Sequence, residues 1–166
     1  MVANFWLRPG NSHCADNVKA FLDSTLEKLD GKQVGLLRAD SGFGDNSFLD
    51  DLEKRQMRHV VALRLNQPLQ RALVEQRGWW LLDDGIELVS FAYQAPSWTH
   101  ARRVIGIRQH VKRKEAKGKT PSLFADDPLM GQSRFAALAT DLSLPGQEVW
   151  RLHRGRLREP DQGTEV

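Results

Sequence analysis

The chain has 166 residues, of which 40% are hydrophobic and 27% are charged, and these proportions are ordinary for a globular protein with one core. Its formal net charge of +3 permits a polyanionic partner but does not require one. The single cysteine, Cys14, excludes an internal disulfide, and no apolar run reaches the roughly 18 residues that a membrane span needs. We therefore expect a cytoplasmic protein with no membrane partner.

The first half of the chain alternates apolar runs with amphipathic stretches. This order, strand-helix-strand-helix-strand, favours an α/β sheet with helices on its faces and at least partly parallel strands. A short helix follows the third strand. The predicted strands are 1–7, 34–37 and 59–63, and the predicted helices are about 18–29, 45–55 and 68–76.

The second half of the chain is richer in strands. Three strands separated by turns predict an antiparallel meander that is inserted into the α/β pattern. One more core strand and a final helix that starts near Gly146 follow the meander. Residues 157–166 carry a proline and a glycine and predict an irregular tail. The predicted strands are 79–82, 86–93, 103–111 and 135–140.

Asp40 stands immediately after a buried strand and before the turn formed by Ser41 and Gly42. In open α/β sheets, sites form outside the carboxyl ends of the strands, so this carboxylate is placed where metal or phosphate chemistry occurs. The alternative is that Asp40 only caps the turn. The residues around it leave both readings open.

Residues 108–119 form the most basic part of the chain. Their density of lysine and arginine suits a phosphate backbone, but a solvated hairpin tip is an equally good reading. Three tryptophans, Trp79, Trp80 and Trp98, could stack on unpaired bases, although packing is the expected use for at least two of them.

Four segments, in this order, resemble the bacterial insertion-sequence transposases of the DDE type, which have an RNase H-like catalytic domain. The segments are 6–11, 37–43, 109–113 and 149–156. The resemblance implies an RNase H-like mixed sheet flanked by helices over 1–156, a strand-rich insertion over 79–125, and a tail over 157–166. It implies that Asp40 is the second acid of the catalytic triad and a ligand of Mg²⁺ or Mn²⁺.

The same resemblance implies that DNA is the partner. Basic residues in the insertion and at the end of the final helix are the candidate DNA contacts. They are Arg102, Arg103, Arg108, Lys112, Arg113, Lys114, Lys117, Lys119, Arg154 and Arg156.

The sequence departs from the family in two places. The first acid of the triad would lie before residue 1. In the signature of the final helix, His153 stands at the tyrosine position, Arg156 at the arginine position, and Pro160 at the position of the third acid. Codons can be chosen for 157–166 that, in a shifted frame, encode the expected continuation with its glutamate, which favours a frameshift. We therefore expect a truncated remnant that does not catalyse transposition alone and that binds its metal weakly.

Other functions remain open at this point. The chain can be a non-catalytic DNA-binding or regulatory protein that is derived from a transposase and associates with the full-length enzyme. An exposed sheet edge beside the first strand predicts self-association. A third reading is an unrelated phosphotransfer enzyme in which Asp40 is the nucleophile and Thr140 or Asp141 assists it from a neighbouring strand.

Overall fold

The computed structural model describes residues 17–83, 85–110 and 133–155. Within these ranges the chain forms six strands and four helices. The strands are β1 (Leu37–Ala39), β2 (His59–Ala62), β3 (Trp80–Asp83), β4 (Ile86–Tyr93), β5 (Arg102–His110) and β6 (Ser133–Thr140). The helices are α1 (Val18–Lys28), α2 (Asn46–Lys54), α3 (Gln67–Glu75) and α4 (Gly146–Arg154).

All six strands belong to one sheet, in the order β1-β2-β6-β5-β4-β3. Strands β1 and β2 are parallel, with Leu37 opposite His59 and Ala39 opposite Val61. The other neighbours are antiparallel, including the pair β2 and β6. The sheet is therefore mixed. Because β1 and β2 are parallel, their carboxyl ends lie side by side at the same end of the strands.

Side-chain caps determine where α2 and α3 begin. Asp45 Oδ1 accepts a hydrogen bond from the backbone N–H of Phe48 at 3.0 Å. Asn66 Oδ1 accepts one from the N–H of Leu69, also at 3.0 Å. Each cap satisfies an N–H that has no partner inside its helix. Pro68 stands in the first turn of α3, where its missing N–H costs little.

The two faces of the sheet carry two separate cores. Helices α1, α2 and α3 pack on the face that contains Val61 and Val104. Helix α4 packs through Val149 on the face that contains Val60 and Ile105. Neighbouring residues of one strand thus enter different cores, as the twofold side-chain period of a strand requires.

Gly106 on β5 brings α3 close to the sheet. A Cβ at this position would lie 2.6 Å from Leu73 Cδ2 and 2.8 Å from Val89 Cγ1. These distances are shorter than atoms in contact allow, so with a larger residue here the side chains of Leu73 and Val89 would have to move. The absence of a side chain therefore leaves room for Leu73 of α3 to pack on β5.

The predicted fold class is confirmed, since the sheet is mixed, is flanked by helices, and is consistent with an RNase H-like fold. The strand before Asp40 spans Leu37–Ala39 and not the predicted 34–37, because pairing with β2 starts at Leu37. Val34 and Leu36 instead line an apolar cavity beside α1. The meander β3-β4-β5 is hydrogen-bonded into the same sheet through β6.

Several predictions fall on residues outside the described ranges. These are the strand over 1–7, the basic residues from 112 to 119, and the tail over 157–166. In the part of the chain that the structure describes, no helix combines the length and the apolar character needed to cross a membrane.

Candidate functional site

Asp40 follows the last residue of β1 and is exposed at the edge where β1 and β2 end. Its Oδ1 accepts a hydrogen bond from the N–H of Gly42 at 2.9 Å, and its carbonyl accepts one from Phe43 at 3.1 Å. Asp40 therefore does cap the turn. Its second carboxylate oxygen has no hydrogen-bond partner among the described residues, so the turn role leaves one hard oxygen available for a cation.

The loop after Asp40 is held against β2 by a close backbone approach at Gly44. A Cβ on Gly44 would lie 3.0 Å from the carbonyl oxygen of Ala62 and 3.2 Å from Leu63 Cδ2. A larger residue would require a shift of a few tenths of an ångström in the loop or at the end of β2. The glycine thus allows the loop after Asp40 to lie against the neighbouring strand.

Arg38 connects β1 to the end of α4. Its Nη1 donates a hydrogen bond to the carbonyl of Gly155 at 3.0 Å, and its Nη2 donates to the carbonyl of His153. The carbonyls at a helix carboxyl end lack partners within the helix and carry partial negative charge, so an arginine suits this position. The final helix, on which the family resemblance places its signature, therefore ends beside the strand that carries Asp40.

His153 lies partly buried at that helix end, beside Arg38. Burial lowers the pKa of its imidazole, and the positive charge of Arg38 lowers it further. The ring stacks on Trp150, with the ring centres 6.3 Å apart and the planes 11° from parallel. The imidazole of His153 is therefore protonated less readily than an exposed histidine.

A second acidic group, which we call the Arg102 network, lies between α2 and β5. Ligand atoms of Asp50, Glu53 and His100 lie within 4.8 Å of one another, and they form the sole group of three such residues in the described ranges. The side chain of Arg102, which is 3% exposed, occupies this group. Its Nε donates to Glu53 Oε1 at 2.6 Å, its Nη1 to Asn46 Oδ1 at 3.0 Å, and its Nη2 to Asp50.

The guanidinium is thus the cation of the Arg102 network. Burial opposes the charged form of Asp50, but the hydrogen bond and the charge of Arg102 outweigh it and lower the pKa of that carboxyl. The plane of the guanidinium also lies over Trp98, 4.9 Å from the ring centre. Because arginine already compensates these acids, the network does not fit a metal ion.

The test for a divalent metal gives a partial fit at Asp40. A carboxylate is the type of ligand that Mg²⁺ and Mn²⁺ prefer. However, Asp40 does not belong to any group of three metal ligands in the part of the chain that the structure describes. The described residues therefore do not form a complete set of metal ligands around Asp40.

The structure describes four of the predicted DNA contacts and separates them. Arg102 is 5% exposed and is fully used by the network above, so no phosphate can reach it. Arg103 donates to Ser90 Oγ at 3.1 Å and to the carbonyl of Leu142. Arg108 pairs with Glu87 at 2.6 Å and lies over Trp79.

Arg154 is the most accessible of the four. It is exposed, and its guanidinium lies 5.1 Å from the centre of the Trp150 ring. Arg134 and Gln109, which the sequence analysis did not propose as sites, line the same cavity of about 130 Å³ as Arg154. The remaining predicted contacts, Lys112, Arg113, Lys114, Lys117, Lys119 and Arg156, lie outside the described residues.

The structure does not bring Thr140 or Asp141 to Asp40. Thr140 lies opposite Val60 and donates its hydroxyl hydrogen to the carbonyl of His59 at 2.7 Å. Asp141 accepts a hydrogen bond from the N–H of His59 at 2.8 Å. His59 is the first residue of β2, whereas Asp40 lies level with the last residue of that strand. Thr140 and Asp141 are therefore at the opposite end of β2 from Asp40.

Arg64 is a residue near the site that the sequence analysis missed. It is exposed, comes directly after Leu63 at the end of β2, and lines a cavity together with Ser41 and Gly42 of the Asp40 turn. The pattern that singled out Asp40 also applies to Arg64, because each is a polar residue that directly follows an apolar strand.

Comparison with known protein families gives a match over most of the chain. No curated protein matches the chain. The sequence model of the family described as "Transposase DDE domain group 1" matches residues 1–121, which include α1, the Asp40 turn and β5. The chain therefore belongs to the transposase DDE domain family, group 1.

Proposed function

We propose that this chain is derived from an enzyme that cuts and joins DNA by DDE-type phosphoryl transfer, and that Asp40 is one of its metal-binding carboxylates. Transposases of this family act on DNA and generally use a divalent metal. The observation that carries the proposal is the position of Asp40. It has one unpaired oxygen at the carboxyl edge of the parallel strands, and Arg38 ties the end of α4 to the same strand.

The chemistry explains the need for hard oxygen ligands at this edge. Two divalent cations, when bound, activate the attacking oxygen and stabilise the leaving oxygen in an in-line displacement at phosphorus. Asp40 would hold such a cation through its free oxygen, while its other oxygen keeps the turn in place. Arg38 would position the segment that follows α4. We propose Mg²⁺, with Mn²⁺ as its substitute.

We further propose that the 166-residue chain alone does not catalyse the transfer. Two observations support this reading. Position 160, where the signature calls for its acid, is a proline. In the described ranges, no group of three metal ligands includes Asp40. The division into a catalytic unit over 1–156, an insertion over 79–125 and a tail over 157–166 is part of the same proposal, as is a cytoplasmic location.

A titration with Mn²⁺ followed by NMR tests the role of Asp40. We expect the amide signals of Gly42 and Phe43 to broaden first, because they are bonded to Asp40, and we expect no DNA nicking. The variant Asp40→Asn should lose the broadening. The matched control is Asp50→Asn, which makes the same change in the Arg102 network and should keep it.

Three outcomes would contradict the proposal. Absence of broadening in the wild-type chain would remove Asp40 as a metal ligand. Broadening that disappears in Asp50→Asn but not in Asp40→Asn would show that Mn²⁺ binds at the Arg102 network and not at Asp40. Nicking that depends on Asp40 would show that other carboxylates complete the centre and that the chain is catalytically competent.

A second candidate is a non-catalytic DNA-binding or regulatory protein, and the exposed cations on the α4 face favour it. Arg134 and Arg154 lie around one cavity together with Gln109. Neutralising both arginines should reduce the slope of DNA affinity against salt by roughly 1 to 2, since each lost phosphate contact removes about 0.7 to 0.9. An unchanged slope would exclude this face as a DNA contact.

We also propose that the chain self-associates through β1, the strand at one edge of the described sheet. Among the described strands, β1 has one neighbour, and an apolar cavity of about 450 Å³ lies between β1 and α1. A second copy of the chain, or a full-length transposase, could cover this surface. Sedimentation of a monodisperse monomer at high protein concentration would contradict it.

A further inference from the structure

A serine, a histidine and a glutamate form a hydrogen-bonded chain that the proposed metal site does not use. Ser133 Oγ lies 3.2 Å from His110 Nδ1, and His110 Nε2 lies 2.8 Å from Glu87 Oε2. The three residues, which we call the Ser133 triad, lie on β6, β5 and β4, and these strands are consecutive neighbours in the sheet. Their order is that of a nucleophile, a base and a group that orients the base.

The register of the sheet positions the Ser133 triad. His110 lies directly opposite Ser133, and Glu87 lies opposite Arg108, two residues before His110 on the same strand. Because side chains alternate between the two faces of a strand, Arg108 and His110 share one face, where Glu87 contacts both of them. The N–H of His110 also donates to the carbonyl of Gly85 at 3.2 Å. Paired strands therefore hold the three side chains together.

The charge of Glu87 defines the direction of the hydrogen bonds. The hydrogen bond from Arg108 lowers the pKa of Glu87, burial opposes this effect, and the hydrogen bond from His110 lowers the pKa further. The ionised carboxylate can only accept, so we assign the donated proton to His110 Nε2. In the neutral imidazole, Nδ1 is then the acceptor for the hydroxyl of Ser133. That hydroxyl bonds to no other described residue, so its proton is available to the base.

A second chain of similar residues shows the arrangement in a blocked form. Thr99 Oγ1 lies 3.1 Å from His100 Nδ1, and His100 Nε2 lies 3.0 Å from Glu53 Oε2. Here, however, the hydroxyl of Thr99 donates to Asp50 Oδ1 at 3.4 Å. Its proton is directed to a carboxylate and not to the imidazole, so His100 does not activate Thr99. Ser133 has no such competing acceptor among the described residues.

The surroundings of Ser133 favour a small substrate with an aromatic group. Ser133 is half-buried and the side chain of His110 is 56% exposed, so a small molecule can reach both. Phe135 shares the face of β6 with Ser133 and packs edge-on against Trp79, with the ring centres 6.1 Å apart. An aryl group next to the hydroxyl therefore has an aromatic surface to pack on.

Arg108 places a positive charge near the same hydroxyl. Its Nε donates to Glu87 at 2.6 Å, and its two Nη groups form no hydrogen bond with a described residue. Arg108 is a diagonal neighbour of Ser133 across the pair β5 and β6, which is within the reach of a long side chain. Donors beside a developing oxyanion lower the barrier to acyl transfer.

We propose that Ser133 is a nucleophile that accepts the acyl group of aryl esters of short carboxylic acids, with His110 as its general base. Ser133 Oγ bonds to the carbonyl carbon, its proton passes to His110 Nδ1, and the bond between that carbon and the aryl oxygen breaks. The aryl oxygen leaves with the proton from His110. Water then attacks the acyl-serine by the same steps, which releases the carboxylic acid and restores the serine. Glu87 positions His110, and none of this depends on the proposed function.

The ester p-nitrophenyl acetate tests the nucleophile. We expect a burst of nitrophenolate and an acetyl group on Ser133, which peptide mass spectrometry identifies. Ser133→Ala should abolish this adduct and slow the release of nitrophenolate roughly tenfold. The effect is smaller than the hundredfold or more that a general base supplies in a closed active site, because the triad is open to water. The matched control is Ser90→Ala, which removes an exposed hydroxyl bonded to Arg103 and should leave the rate unchanged.

His110→Gln tests the base, and it should slow the acetylation of Ser133 by a similar factor. Thr99 should carry no acetyl group in any of these proteins. A rate that falls in His110→Gln but not in Ser133→Ala would mean that the imidazole itself attacks the ester, and it would overturn the assignment to Ser133. Acetylation of Thr99 as fast as that of Ser133, or equal rates in the wild-type chain and both variants, would also overturn the proposal.

Two substitutions of Glu87 separate positioning from a structural role. Glu87→Ala and Glu87→Gln both remove the ion pair with Arg108, so both should lower the thermal midpoint by similar amounts. Only glutamine keeps an oxygen that can accept the hydrogen bond from His110 Nε2. Glu87→Gln should therefore be acetylated about threefold faster than Glu87→Ala, the effect of one neutral hydrogen bond. Equal rates at equal midpoints would mean that Glu87 serves only the fold, and they would remove it from the triad.

Discussion

Two acidic regions of this molecule, the Arg102 network and Asp40, differ in what already pairs with their carboxylates. The Arg102 network brings three possible metal ligands within 4.8 Å, yet an arginine already compensates them. Asp40 has no such companions among the described residues, yet it keeps an unpaired oxygen at the edge of the parallel strands. The number of acids in a cluster therefore does not by itself indicate a metal site, because a side-chain cation such as Arg102 can already occupy their oxygens.

The two regions also contribute differently to stability. The Arg102 network joins α2 to β5, and in its ion pairs with Asp50 and Glu53 the arginine is almost inaccessible to water. Asp40 joins only residues of its own turn. Removing a charge from the first region should therefore damage the fold, and removing it from the second should damage function.

The largest expected effect is that of Arg102→Met. The substitution leaves two partly buried carboxylates without their cation, so we expect the free energy of unfolding to fall by about 2 to 4 kcal/mol, since breaking a more deeply buried pair costs about 3 to 5. Urea denaturation measures this change. Arg103→Met, which removes a more exposed arginine from the same strand, should cost clearly less. A loss below about 0.5 kcal/mol for Arg102→Met would contradict the comparison.

The same variant sharpens the comparison in a second way. Without the guanidinium, the ligands of Asp50, Glu53 and His100 become free to bind a cation. We expect Mn²⁺ to stabilise Arg102→Met against urea and to leave the stability of the wild-type chain almost unchanged. Stabilisation of both proteins to the same degree would show that arginine does not replace a metal there.

A smaller effect is expected for Arg38→Gln, which weakens the link between β1 and the end of α4. The loss of two hydrogen bonds at an exposed site should cost about 1 kcal/mol and speed hydrogen exchange in the last turn of α4. Arg58→Gln is the control, because its side chain is exposed and forms no bond with a described residue. Unchanged exchange in Arg38→Gln would mean that the helix end is fixed by other contacts.

The smallest effect is the pH dependence at His153. The pKa of this imidazole is lower in the folded state than its ordinary value of 6.5, so the folded chain binds fewer protons than the unfolded chain near that pH. Its contribution to stability is therefore fully present above pH 6.5 and is lost as the pH falls through the folded-state pKa. His153→Phe keeps an aromatic ring beside Trp150 and should remove this part of the acid sensitivity in urea titrations between pH 5 and 8. An unchanged profile would assign the sensitivity to other groups.

The elements that follow a local pattern could be predicted from the sequence. Strand β4 has the predicted bounds, Ile86–Tyr93, because turn residues mark both of its ends. Helix α2 begins at Asn46, next to the predicted start at residue 45, because Asp45 caps it. The position of Asp40 at a strand end was predicted in the same way, from an apolar run that a turn interrupts.

Roles that depend on distant partners could not be predicted. Arg102 looks like a DNA contact because its charge is visible in the sequence, whereas its partners Asp50 and Glu53 are 52 and 49 residues away. The cavity beside the Asp40 turn joins Arg64 to Tyr93, which no spacing rule connects. Such arrangements arise from the tertiary fold.

The bond between Arg38 and the end of α4 has a consequence for the order of synthesis and folding. Arg38 lies 115 and 117 residues before the two residues whose carbonyls it binds. The ribosome must therefore make nearly all of the described chain before these groups can meet. Contacts between such distant segments close a long loop and form slowly. The strand pair β1 and β2 also needs β6 as its neighbour in the sheet. A nascent chain therefore exposes Asp40 early but acquires the surroundings of that carboxylate late.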